Sequence, residues 1–212
     1  MSLTIKLLGS DASIEKEIMR ALAAHVNANL IKNRDRILSD LKRLIPVWMN
    51  AQPEIQSLLD DGSTGSLEAQ FGIPAGQAPT VVSTIVQAIT DSVKIEIIKA
   101  ASNKKFFGGI RFGIQPTDFV NLLSLSAAKI ITEKGTTLEW LKWLLTAGDS
   151  MIVIGYDYFP GNGGRSGGGT MAGGGAWRVP PQYSGTASNN FITRALNGRE
   201  KDIAAIFRRI SL

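Results

Sequence analysis

Between Ile14 and Ile45 apolar residues recur at Ile18, Leu22, Val26, Leu30, Ile37, Leu38, Leu41 and Leu44, the three-to-four spacing of an amphipathic helix. Ser10, Asp11 and Ser13 supply N-terminal caps, and Pro46 marks the expected end. At about 32 residues and 1.5 Å per residue such a helix is roughly 48 Å long, more than a small domain needs. Its middle (Asn27, Asn29, Lys32, Asn33, Arg34, Asp35, Arg36) is polar nearly all round, so the helix either breaks there or stands out against another subunit. Shorter helical stretches follow. Pro53 opens Glu54–Leu59, closed by Asp60-Asp61-Gly62, and Ser63–Pro74 reads as a turn, one helical turn over Leu67–Phe71, and a glycine stop. Pro79 then opens Thr80–Thr90, with Val81, Val82, Ile85, Val86 and Ile89 on one side.

From Ser92 the period changes to two. Val93, Ile95 and Ile97 alternate with Lys94 and Glu96, and after a polar turn at Ser102–Lys105 Phe106, Ile110, Phe112 and Ile114 alternate with Phe107, Gly109, Arg111 and Gly113. Two antiparallel strands are expected, one face apolar and the other small or charged. Asp118–Leu123 suggests a helical turn and Ser126–Thr132 a further strand. Thr136-Thr137-Leu138-Glu139 has the capping-box pattern and predicts a helix over Leu138–Thr146, stopped at Gly148.

Met151–Tyr158 reads as a strand and Trp177–Val179 as its partner. Between them lies a stretch in which nine of the fifteen residues from Gly161 to Gly175 are glycine. With so few side chains it is expected to form a soft hairpin tip rather than core, ordering only against another subunit. The arm as a whole spans Tyr156–Ser188. A last amphipathic helix starts near Ser188 and carries Phe191, Ile192, Ala195, Leu196, Ile203, Ile206, Phe207 and Ile210 on one face, with Gly198 bending or weakening it. Its outer face holds Arg194, Arg199, Lys201, Arg208 and Arg209 against Glu200 and Asp202: cations suited to the helix dipole, or a surface for an acidic partner. The pattern describes one α+β domain with a helical N-terminal half, a small antiparallel sheet with a long glycine-rich hairpin, and a closing amphipathic helix.

Composition removes most chemistry. The 212 residues contain no cysteine and one histidine, His25, which leaves no thiolate site, no disulfide and no material for an imidazole-based metal site or triad. The glycines do not match a phosphate loop, because Gly163-Gly164-Arg165-Ser166-Gly167 lacks the lysine and runs into more glycine. Trp177-Arg-Val-Pro-Pro cannot begin the helix a dinucleotide fingerprint requires. The carboxylate pairs Asp60/Asp61 and Glu15/Glu17 sit at a turn and a helix start. No enzyme, cofactor or metal ion is expected. The apolar runs are too short to span a bilayer and no signal-peptide pattern opens the chain, which predicts a soluble protein made in a cytoplasm without a membrane partner. The net charge of +5 is spread along the chain; a nucleic-acid-binding module using the basic last helix and the Arg165 loop is the alternative reading. Trp48, Trp140 and Trp143 read as core. Trp177, followed by Arg178 and two prolines, reads as a rigid apolar edge suited to an interface.

Several stretches together carry a resemblance: Ser66–Pro74 (SLEAQFGIP), Arg165-Ser166-Gly167, Gly174 through Pro181 (GGAWRVPP), and Gly185 through Ala195 (GTASNNFITRA). The sequence resembles the tail-completion or neck proteins of long-tailed bacteriophages over about half its length. That resemblance implies a structural virion protein made in the host cytoplasm, a homo-oligomeric ring at the head-to-tail junction. Its hairpin would reach a neighbouring subunit or ring, its partners would be other neck, portal-adaptor or tail-terminator proteins, and nucleic acid would enter only as DNA passing through the lumen. The expected boundary residues are Tyr158, Phe159, Arg165, Met171, Trp177 and Arg178 on the arm, and Arg194, Arg199, Arg208 and Arg209 on the last helix.

Overall fold

The computed structural model describes residues 10–101, 108–114, 118–132 and 134–209, and the fold is α+β. The helices are α1 (Asp11–Asn50), α2 (Pro53–Leu59), α3 (Leu67–Phe71), α4 (Ala78–Asp91), α5 (Val120–Leu123), α6 (Trp140–Thr146), α7 (Phe191–Leu196) and α8 (Glu200–Arg208). The strands are β1 (Lys94–Ile98), β2 (Gly109–Gly113), β3 (Ile130–Ile131), β4 (Thr137–Leu138), β5 (Val153–Pro160) and β6 (Gly169–Trp177), and they pair antiparallel as β1–β2, β3–β4 and β5–β6. The expected strands are therefore divided among three two-stranded ribbons. Two compact units emerge: the described parts of Met1–Leu41, Lys94–Gly113 and Asp202–Leu212 make one, and Lys42–Val93 with Ile114–Lys201 make the other.

In the first unit, α1 does not break in its polar middle. Some of those polar side chains are used: the Asn27 amide brackets the backbone of Ala100, donating to its carbonyl at 3.2 Å and accepting from its N–H at 2.7 Å. Asn33 donates to the Asn29 carbonyl, and the Asn29 amide meets the His25 ring at 3.0 Å, which gives His25 a local structural contact. The β1–β2 ribbon places Ile95 opposite Phe112 and Ile97 opposite Ile110, the apolar face read from the alternation. Residues 102–107, which include the expected turn and Phe106 and Phe107, lie outside the described residues, as does Ile210.

In the second unit, Pro46 lies inside α1 instead of ending it. A proline there forfeits one helical hydrogen bond, but the turn that follows buries Trp48 and Met49 beside the buried Ile45, and that burial offsets the loss. α3 is the single turn expected, capped by the Ser66 hydroxyl, which accepts from Ala69 N–H at 3.1 Å, and stopped by Gly72 in the left-handed region. Helix α6 begins two residues later than its capping-box pattern predicts. Thr137 and Leu138 instead pair with Ile131 and Ile130, and the Glu139 carboxylate turns to Lys142 and Lys129. The strand expected over Ser126–Thr132 is a 3-10 turn, Ser126–Ala128, followed by the two residues of β3. The single last helix is two, separated at Asn197-Gly198, where Gly198 has φ +74°. Phe71, Trp140, Trp143 and Trp177 form one aromatic cluster, with Phe71 5.3 Å from Trp140 and 5.9 Å from Trp177, and Trp143 6.0 Å from Trp177 between ring centroids.

Candidate interaction surface

Four of the nine glycines, Gly169, Gly173, Gly174 and Gly175, are strand. β6 begins at Gly169, far ahead of the expected Trp177, so the connection shrinks to residues 161–168 and β5 extends to Pro160. A β-bulge interrupts the ladder: Ile154 faces Ala176 and Tyr156 faces Gly173, leaving Gly155 opposite both Gly174 and Gly175. The Asp157 carboxylate settles over this bulge, accepting from Gly175 N–H at 2.7 Å. A side chain at Gly174 would put its Cβ 2.6 Å from that carboxylate oxygen, so the carboxylate would have to shift.

The tip is seated rather than protruding. Gly168 is buried, and a Cβ there would lie 2.7 Å from the Ser63 carbonyl oxygen and 2.8 Å from Ala69 Cβ. The hydroxyl of Tyr158 ties tip to seat: it accepts from Gly65 N–H at 3.0 Å and donates to the Gly168 carbonyl at 2.8 Å. Its ring lies so close to Gly169 that a Cβ there would meet it at 2.6 Å. The Arg165 carbonyl accepts from Ala75 N–H at 3.3 Å, and its guanidinium donates to the Ile131 carbonyl at 2.8 Å. At Gly164, Gly168 and Gly169 backbone or ring approaches too closely for a Cβ, and the tip rests on residues of its own chain.

Three of the residues expected at a boundary have their partners inside this unit: Trp177 is buried, and Arg194 and Arg199 are half-buried. Trp177 is only 6% exposed, packs edge-on against Phe71 and Trp143, and donates through Nε1 to Gln70 Oε1 at 3.2 Å. Its apolar surface and single donor are both satisfied there. Arg194 pairs with the fully buried carboxylate of Glu54 and also donates to Asn189 Oδ1 at 3.1 Å. Arg199 donates to the Ala195 carbonyl at 2.9 Å and lays its guanidinium 5.6 Å from the centroid of the Trp48 ring. Arg178 is half-buried, and Arg208 and Arg209 are exposed at the end of α8.

The large side chains exposed on the β5–β6 ribbon are apolar. Ile154 is 82% exposed, Phe159 49% and Tyr156 46%; Met171 and, just before the strand, Met151 are also open. Phe159 and Met171 are among the expected boundary residues; Ile154 and Tyr156 are not, although Gly155 inside an apolar strand is the signal of a bulge that re-aims its neighbours. Among the described residues no cluster of histidine, cysteine, aspartate and glutamate is arranged to hold a metal ion, and no helix is long and apolar enough to cross a membrane. No family model matches the chain, and neither a curated protein nor a solved structure matches it.

Proposed function

We propose that the chain is a structural subunit that assembles with copies of itself, and specifically a neck or tail-completion component of a tailed bacteriophage, forming a ring that joins the portal and head assembly to the tail. The observation that carries the self-assembly reading is the β5–β6 ribbon, which holds Ile154, Tyr156, Phe159 and Met171 in water while both its ends are anchored, at Trp177 and at the tip. A rigid, anchored strand pair bearing exposed large apolar side chains is suited to burial against another protein surface. The exposed Ile18, Leu22 and Ile31 of the long helix α1 add to the same reading. The virion assignment rests on the resemblance of the Ser66–Pro74, Arg165-Ser166-Gly167, Gly174–Pro181 and Gly185–Ala195 stretches alone.

Native mass measurement of the purified chain tests the assembly, with a closed ring as the expected result; a monomer at all concentrations sinks it. Ile154→Asp is expected to leave the fold within about 0.5 kcal/mol of the parent, because the side chain is in solvent, and to abolish assembly. Loss of the corresponding gene from a phage genome is expected to leave heads and tails unjoined. The nucleic-acid alternative keeps Arg208, Arg209 and Lys201 as exposed cations but loses Arg194 and Arg199 to internal partners. DNA retention that falls steeply with salt would favour it.

A further inference from the structure

The seat of the hairpin tip contains a buried carboxylate with little to hold its charge. Glu68 of α3 is fully buried. Its Oε2 accepts from Gly62 N–H over a long 3.4 Å, and its Oε1 has no hydrogen-bond partner among the described residues. Burial pushes its carboxyl up from the usual value, the charges of Asp61 and Asp60 push the same way, and the Gly62 amide and Ser66 hydroxyl only partly oppose them. Among the described residues, the groups that act on it include no cation. From the end of α2 come Asp60 and Asp61; from the hairpin comes the Tyr158 phenol; Arg165 is turned to the Ile131 carbonyl and Arg194 is held by Glu54. The flanking residues meet the tip directly: Gly65 donates to Tyr158, and Ala69 and Ser63 form the surface against which Gly168 lies.

We propose that residues 63–74 and the hairpin tip form a latch governed by the proton on Glu68. With the carboxyl neutral, α3 stays packed and the tip is held on it. With the carboxyl ionised, an oxygen without a partner and two neighbouring negative charges drive α3 toward water, and the surface under Gly168 moves with it. The sign follows from linkage: a proton bound more tightly in the seated form makes seating strongest at low pH and weaker as pH rises through the raised titration.

Backbone amide exchange of the full chain, corrected for intrinsic rate and followed from about pH 5 to about pH 8, tests this against the ordinary glutamate range. Protection at Gly167 and Gly169 is expected to fall several-fold as pH rises, while the amides of α4 hold theirs. Glu68→Gln is expected to keep the tip protected across the whole range. Asp61→Asn, which removes a neighbouring charge while keeping an acceptor for Gly76 N–H, is expected to move the transition to lower pH; this variant decides the matter should the glutamine variant not fold. Tip protection that is indifferent to pH, a pH response that persists unchanged in Glu68→Gln, a transition unmoved in Asp61→Asn, or an equal response in α4 would overturn the latch.

Discussion

The two longer hairpins of this protein hold their strands together in different ways. In β1–β2 the ladder runs through five pairs without interruption, apolar side chains share one face, and Glu96 pairs with Arg111 on the other at 3.3 Å. It is a ribbon built from cross-strand side chains, each pair contributing a few tenths to about 1 kcal/mol. In β5–β6 four of the nine residues of β6 are glycine, the ladder is broken by a bulge, and the holding groups are a carboxylate over the bulge, a phenol hydroxyl at the tip and a tryptophan at the base. Glycine here is a packing residue. It lets backbone come where a Cβ would collide, and the strand is positioned by what lies against it.

This contrast is open to breakage, beginning at the base. Trp177→Ala should cost about 3–5 kcal/mol in urea unfolding, since it removes the aromatic ring that packs edge-on against Phe71 and Trp143; a cost under about 1 kcal/mol would make Trp177 a surface residue. Gly168→Ala should cost about 1–3 kcal/mol by overpacking against Ser63 and Ala69. Its counterpart Gly113→Ala in β2, which has nothing within 4 Å of the added Cβ, should stay within about 0.5 kcal/mol. Equal effects at the two glycines would erase the distinction. Tyr158→Phe should cost about 1 kcal/mol, since it strips the acceptor from Gly65 and the donor from Gly168. The smallest effect is expected from Arg111→Ala, whose exposed pair with Glu96 is worth under about 1 kcal/mol and fades with salt.

Much of this fold is legible residue by residue. The helix periods, the proline-opened α2, the single turn of α3 and the face shared by Ile95 and Phe112 depend on local spacing, which the chain carries in full view. The differences arise where a local signal met a stronger distant one. Thr136–Glu139 satisfies a capping box on paper, but Leu138 is taken by its pairing with Ile130. Pro46 is a stop signal that the buried Trp48 and Met49 override. The candidate site divides the same way. Phe159 and Met171, expected outside the strands, are exposed on β5 and β6. Trp177, Arg194 and Arg199 read as surface because their partners, Phe71, Glu54 and Trp48, lie far away in sequence.

By itself the sequence determined the class of fold, the absence of thiol and the near-absence of imidazole chemistry, and the position of the hairpin, because period, composition and glycine content are local properties. Only the tertiary structure decided what the glycines are for. Steric room is a relation between segments: Gly168 and Gly169 lie where Ser63, Ala69 and Tyr158 occupy the space a Cβ would need, and Gly174 lies against the Asp157 carboxylate. The same holds for the charges. Whether an arginine is a docking group or an internal partner depends on where a buried carboxylate such as Glu54 comes to rest, and spacing along the chain does not encode that.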